Sequence, residues 1–92
     1  MHDGPTTYLV ECFWPGVDGD AVDAMNVRAA SAASALAAAG HSVRFVGSIL
    51  VPEDEVVLCE FEGAEALVRQ ASEAAEIPFA RIVESTRSPR DE

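Results

Sequence analysis

The sequence predicts one α+β domain with the element order β-α-β-β-α-β, on three observations. "YLVECFW" at 8–14 and "VVLCEFE" at 56–62 alternate with the period of a strand and are rich in aromatic and β-branched residues. Two Ala-rich stretches repeat apolar residues at spacings of three and four, as helices with one buried face do. "HSVRFVGSILV", "PEDE" and "VVLCEFE" follow one another as strand, acidic turn and strand, which is a hairpin signal.

Taken in order, the first strand covers 7–14 and stops at "WPG". Asp18 and Asp20 then supply the N-cap and first-turn acids of a long helix, in which Val22, Met25, Ala29, Ala32 and Leu36 recur until Gly40 ends it. The second and third strands flank the turn at 52–55. A second helix from about 64 to 76 buries Leu67, Val68 and Ala71, and Pro78 prevents its continuation. "ARIVEST" is the last strand. This is the ferredoxin-like split unit, and right-handed crossovers give an antiparallel sheet of order 4-1-3-2 with both helices on one face. Residues 1–6, with His2, and 87–92 read as flexible ends of a single domain spanning 1–92.

Composition narrows the function. The chain is 49% apolar and 24% charged, a globular balance, with no run near the roughly 20 apolar residues of a membrane span. A formal charge of −10 argues against nucleic acid and anionic membranes, since binding phosphate backbones needs a basic patch. "MHDGPTT" lacks the basic-then-apolar pattern of a secretory signal, so the expected compartment is the cytoplasm, with both cysteines reduced. There is no P-loop, GxGxxG, CxxC or GxSxG.

The candidate site comes from two Glu-Cys pairs inside the apolar strands, Glu11-Cys12 and, in reversed order, Cys59-Glu60. An antiparallel register that sets Glu11 opposite Glu60 and Cys12 opposite Cys59 makes them matched rungs. Side chains alternate between faces, so the cysteines point one way and the glutamates the other, and a neighbouring Glu and Cys cannot share one ion. The cysteine face, with Tyr8, Val10, Val57, Phe61 and Val83, is apolar enough to pack under the helices, where the thiols act as small hydrophobes.

On the glutamate face the hairpin sets Val51 opposite Val56 and Gly47 opposite Glu60, with His41, Val43, Phe45 and Ile49 on the same side. Leu9, Phe13, Leu58 and Ile82 join them, so this face is also apolar although no helix remains to cover it. A second copy of the sheet is the expected cover, as a homodimer. Glu84 is expected on this face too. Carboxylates removed from water must be paired, protonated or metal-bound, so Glu11, Glu60 and Glu84 ask for a cation or a proton, with His41 at the rim as a nitrogen donor. The competing account is that at a packed interface arginines of the partner subunit, from among Arg28, Arg44, Arg69 and Arg81, neutralise the acids, or that water hydrates them.

With "YLVE" and "FWPG" in the first strand, "VRFVGSIL" in the second and "VLCEFEGAEALVRQASEAAEIPFARIVE" through the end, the chain from about Tyr8 to Ser85 resembles the small nickel-binding, nickel-responsive protein family. That resemblance implies a homodimeric α+β barrel of two sheets that binds nickel or another divalent transition metal without established catalysis. By it, Glu11 and Glu60 are the expected metal ligands, with His41 or Glu84 completing the set. One departure stands out: Gly47 occupies the position before Ser48 where the family is expected to carry a histidine. Its absence removes an imidazole suited to borderline metals and empties volume beside Glu60. The alternative function is accordingly a cofactor-free barrel enzyme or small-molecule binder that uses one carboxylate in an apolar cavity. A purely structural interaction module is the third reading.

Overall fold

The computed structural model of the chain describes residues 6–86. It comprises β1 (Thr7–Phe13), α1 (Gly19–Ala38), β2 (Val43–Val51), a 3₁₀ turn (Pro52–Asp54), β3 (Val56–Gly63), α2 (Glu65–Ala74) and β4 (Arg81–Ser85). The strands form one antiparallel sheet in the order β2-β3-β1-β4, the expected order read from the other edge and consistent with the ferredoxin-like unit. Of the ends expected to be flexible, Thr6 is described, and its carbonyl accepts from the Gly63 N–H at 2.9 Å. Residues 1–5, with His2, and 87–92 lie outside the described residues.

Local chemistry starts and stops the helices. The Asp18 carboxylate accepts from the Ala21 N–H at 2.9 Å and caps α1, and Asp20 adds a negative charge to its first turn. Beyond Ala38 the His41 N–H reaches back to the Leu36 carbonyl and Gly40 takes a φ of +98°, a glycine-ended stop. α2 ends one turn before Pro78 with the same backbone bond, Ile77 N–H to the Ser72 carbonyl, but with Glu76 in place of a glycine at positive φ, +58°. Arg28 of α1 donates to the Ala75 carbonyl at 2.8 Å, satisfying an orphan acceptor at the end of α2. Opposite, Glu55 ties two turns together: its carbonyl accepts from Trp14 N–H at 2.7 Å and its carboxylate from Gly16 N–H at 3.0 Å.

One face of the sheet meets both helices. Val10 and Cys12 of β1 and Val57, Cys59 and Phe61 of β3 are wholly buried against Met25, Ala29, Val68 and Ala71. The cysteines therefore sit on the helix side, as their alternation with the glutamates requires. Each large apolar side chain taken fully from water contributes about 1.5–3 kcal/mol.

Three details differ from the sequence expectation. First, β1 is displaced by two residues along β3: Glu11 faces Leu58, Leu9 faces Glu60 and Val10 faces Cys59. An even displacement keeps every side chain on its face, and apolar alternation cannot distinguish the two registers. Second, the hairpin pairs Val51 with Val56 and Gly47 with Glu60 as expected, but a bulge at Val46 follows. The extra residue turns Val43 and Phe45 into the core, where Phe45 meets Phe61 with ring centroids 5.1 Å apart. Third, the Ala80 N–H donates to the Glu11 carbonyl at 2.7 Å and sets Arg81 opposite Glu11. That register sends Ile82 to the core side and Val83 to the open side, the reverse of expectation.

Two substitutions test this packing by urea denaturation. Phe61→Ala should cost about 3–5 kcal/mol, the range for emptying a buried aromatic site. Gly63→Ala should destabilise by more than the roughly 1 kcal/mol of an ordinary glycine exchange. Its φ is +141° and a β-carbon there falls 2.7 Å from the Ser42 carbonyl oxygen.

Candidate functional site

The face of the sheet away from the helices is the candidate site. Residues alternating out of the core place Leu9, Glu11 and Phe13 of β1, Leu58, Glu60 and Glu62 of β3, Ile49 of β2 and Arg81 of β4 on it. Phe13, the last residue of β1, is 59% exposed and Ile49, on the edge strand β2, 57%, high values for large apolar residues within strands. Gly47 lies opposite Glu60, and a β-carbon built on it would meet no atom within 4 Å. A depression of about 280 Å³ beside Glu60 is lined by Thr7, Leu9, Ile49, Ser85 and Thr86.

The structure brings two of the four expected metal-site residues to this face. Glu11 and Glu60 are both half-buried on adjacent strands, diagonal to one another because of the register displacement. Glu84 is not with them. It pairs with Tyr8 on the helix side and is exposed, because β4 takes its register from the Ala80–Glu11 bond. His41 is not with them either. It precedes β2, three residues beyond the Arg44–Glu62 rung, and its backbone closes α1 instead of extending the strand.

Two arginines of the same chain engage acids on this face. Arg81 Nε meets Glu11 Oε1 at 2.5 Å across the β1–β4 rung, with the two side chains 66% and 31% exposed. Arg44 meets Glu62 at 3.0 Å across the β2–β3 rung. Arg28 and Arg69 serve the helices: the first caps α2, and the second pairs with Glu65 at 3.5 Å and lies over the Phe79 ring. Among the described residues the open face thus carries the carboxylates of Glu11, Glu60 and Glu62 and the guanidiniums of Arg44 and Arg81.

A transition-metal site is not complete within one chain. Among the described residues no three His, Cys, Asp or Glu side chains converge as a metal-binding group. Two carboxylates from a single chain, one of them held by a guanidinium, fall short of the four donors such an ion usually takes. The donor set fits only if a second chain doubles it. On the other face, Cys12 and Cys59 are buried free thiols; the Cys12 thiol donates to the Val10 carbonyl at 3.9 Å and the Cys59 thiol to Met25 Sδ at 3.7 Å. The interaction of the two thiols pulls Cys12 down and, with burial, pushes Cys59 up.

No protein-family model matches the chain, and no curated protein matches it. Its fold is similar to that of SCO4226 from Streptomyces coelicolor A3(2), known from a crystal structure. The TM-score is 0.65 over 90% of this chain and 99% of that one, at 21% sequence identity. An identity that low bears on the fold alone. Among the described residues no helix is long and apolar enough to cross a membrane.

The Glu11–Arg81 pair is solvent-screened, so Arg81→Gln should change unfolding free energy by less than about 1 kcal/mol. Urea melts at low and high salt check this. Both thiols should be silent to a thiol reagent at pH 8 in the native protein and react fully in denaturant, because neither side chain has exposed surface.

Proposed function

We propose that the chain works as a homodimer that closes two open sheet faces on each other and holds a divalent transition metal between them. Glu60 of each copy is the principal ligand and Glu11 the secondary one, and nickel is the ion favoured by the sequence resemblance. The observation that carries this reading is that Glu11 and Glu60 stand on adjacent strands of an apolar sheet face that no helix covers, where carboxylates closed off from water by a second copy need a counter-charge. A second copy also raises the Glu11 and Glu60 carboxylates from two to four. An apolar sheet face with Phe13 and Ile49 more than half exposed is the kind of surface that association removes from water.

A second reading rests on a different observation, the empty space opposite Glu60 left by Gly47 and the 280 Å³ depression beside it. Closed by a second copy, that space suits a small organic ligand, with apolar walls from Leu9 and Ile49 and polar contacts from Thr7, Glu60 and Ser85. In that case the protein is a small-molecule binder or a cofactor-free enzyme with Glu60 as its carboxylate.

Calorimetric titration of nickel(II) and zinc(II) into metal-free protein separates them. The metal reading expects one ion per two chains, loss of binding in Glu60→Gln and at least about tenfold weaker binding in Glu11→Gln. Arg81→Gln should bind more tightly, because the guanidinium no longer competes for Glu11. No binding by the folded parent, or full binding by Glu60→Gln, contradicts the metal reading. An organic molecule released from freshly isolated protein and seen by mass spectrometry then supports the second.

A further inference from the structure

The depression beside Glu60 draws on all four strands. Thr7 and Leu9 come from β1, Ile49 from β2, Glu60 from β3, and Ser85 ends β4 with Thr86 after it. Two rungs of the sheet build it: Gly47, Glu60 and Leu9 stand side by side on one, and Thr7 faces Ser85 on the next. Gly47 brings no side chain to its rung, so the β2 side of Glu60 stays open.

We infer that this depression binds a small organic cation, a primary ammonium on a short apolar body, with the ammonium seated on Glu60. The inference rests on the small-molecule reading of the open face and names the ligand class. The polar groups around the space are the first reason. A carboxylate only accepts hydrogen bonds. The Ser85 hydroxyl donates its proton to the Thr7 carbonyl at 3.3 Å, which leaves the Ser85 oxygen as an acceptor. Thr7 and Thr86 add hydroxyl oxygens, and the lining residues include no lysine, arginine or histidine. Arg81 and Arg44 of the same face are engaged by Glu11 and Glu62. An ammonium, with three donors and no acceptor, complements such a set, whereas an anionic head group meets like charge.

Charge and shape are the second and third reasons. Glu60 is the acid among the lining residues, and one carboxylate matches one monovalent cation. A divalent metal needs the donors of a second chain, but an ammonium needs only this one acid and the neighbouring oxygens. The chain's formal charge of −10 draws cations toward the surface. Leu9 and Ile49 give the body of the ligand apolar walls. The volume of about 280 Å³ lies just under the roughly 300–1,000 Å³ of pockets for drug-sized molecules, so that body is small.

The test titrates the full, metal-free, nitrogen-15-labelled chain at pH 7 with hexylamine, hexanol and hexanoate, which share a tail and differ in head group, and follows amide shifts. Metal-free protein is used because an ion and an ammonium exclude one another at Glu60. Hexylamine, protonated at this pH, should shift the Leu9, Ile49 and Ser85 amides saturably, with hexanol at least about tenfold weaker and hexanoate inert. Glu60→Gln should bring hexylamine down to the affinity of hexanol, and Glu73→Gln, which removes an exposed acid of α2, should change nothing. Hexanol or hexanoate binding as tightly as hexylamine would overturn the ammonium proposal and leave the small-molecule reading standing. No saturable shift with any of the three overturns both. Parental hexylamine affinity in Glu60→Gln, or an equal loss in Glu73→Gln, assigns the binding to the general negative charge and also overturns the proposal. The comparison of head groups on the parent protein decides the matter even if a variant does not fold.

Discussion

Along β1 and β3 successive side chains point to opposite sides of the sheet, and both sides of these two central strands are mainly apolar. The helices can satisfy one side only. Val10, Cys12, Val57, Cys59 and Phe61 become the core, which leaves Leu9, Phe13 and Leu58 uncovered with Glu11 and Glu60 among them. A single parity thus decides where the hydrophobic stabilisation comes from and which acids share a surface. A one-residue slip of either strand would exchange that strand's two sets and bury its glutamate under the helices.

Most of that arrangement was legible in the sequence because it depends on parity and on local signals. Asp18 as a cap, Gly40 as a stop, the Val51–Val56 and Gly47–Glu60 rungs and the opposite faces of Glu and Cys follow from patterns a few residues long. What was not legible depends on pairs far apart in the chain. Sliding β1 by two residues along β3 keeps every residue on its face, so the pattern is silent about whether Glu11 meets Glu60 or Leu58. The bulge at Val46 has no sequence signal beside it other than the following Gly47, and it alone reverses Val43 and Phe45. The parity of β4 is set by one backbone bond, Ala80 to Glu11, which moves Glu84 away from the other acids and puts Arg81 beside them.

That last exchange changes the electrostatics of the site. A face expected to hold three acids near its centre holds two there, one of them engaged by an arginine from the neighbouring strand. Two cross-strand ion pairs, Arg81–Glu11 and Arg44–Glu62, lower the desolvation cost of carboxylates in an apolar layer. A second copy matters because the two central carboxylates of one chain are too few donors for a divalent ion, and a facing pair doubles them. Gly47 adds space at that point in place of a ligand.

The account turns on the second copy, so sedimentation equilibrium of the purified chain over a tenfold concentration range tests it most directly. It predicts a species of twice the 9.7 kDa chain mass that Ile49→Lys, a charge placed in the middle of the open face, converts to monomer with the fold intact. A parent protein that sediments as a 9.7 kDa monomer at all concentrations, or an Ile49→Lys variant that remains a dimer, would contradict it.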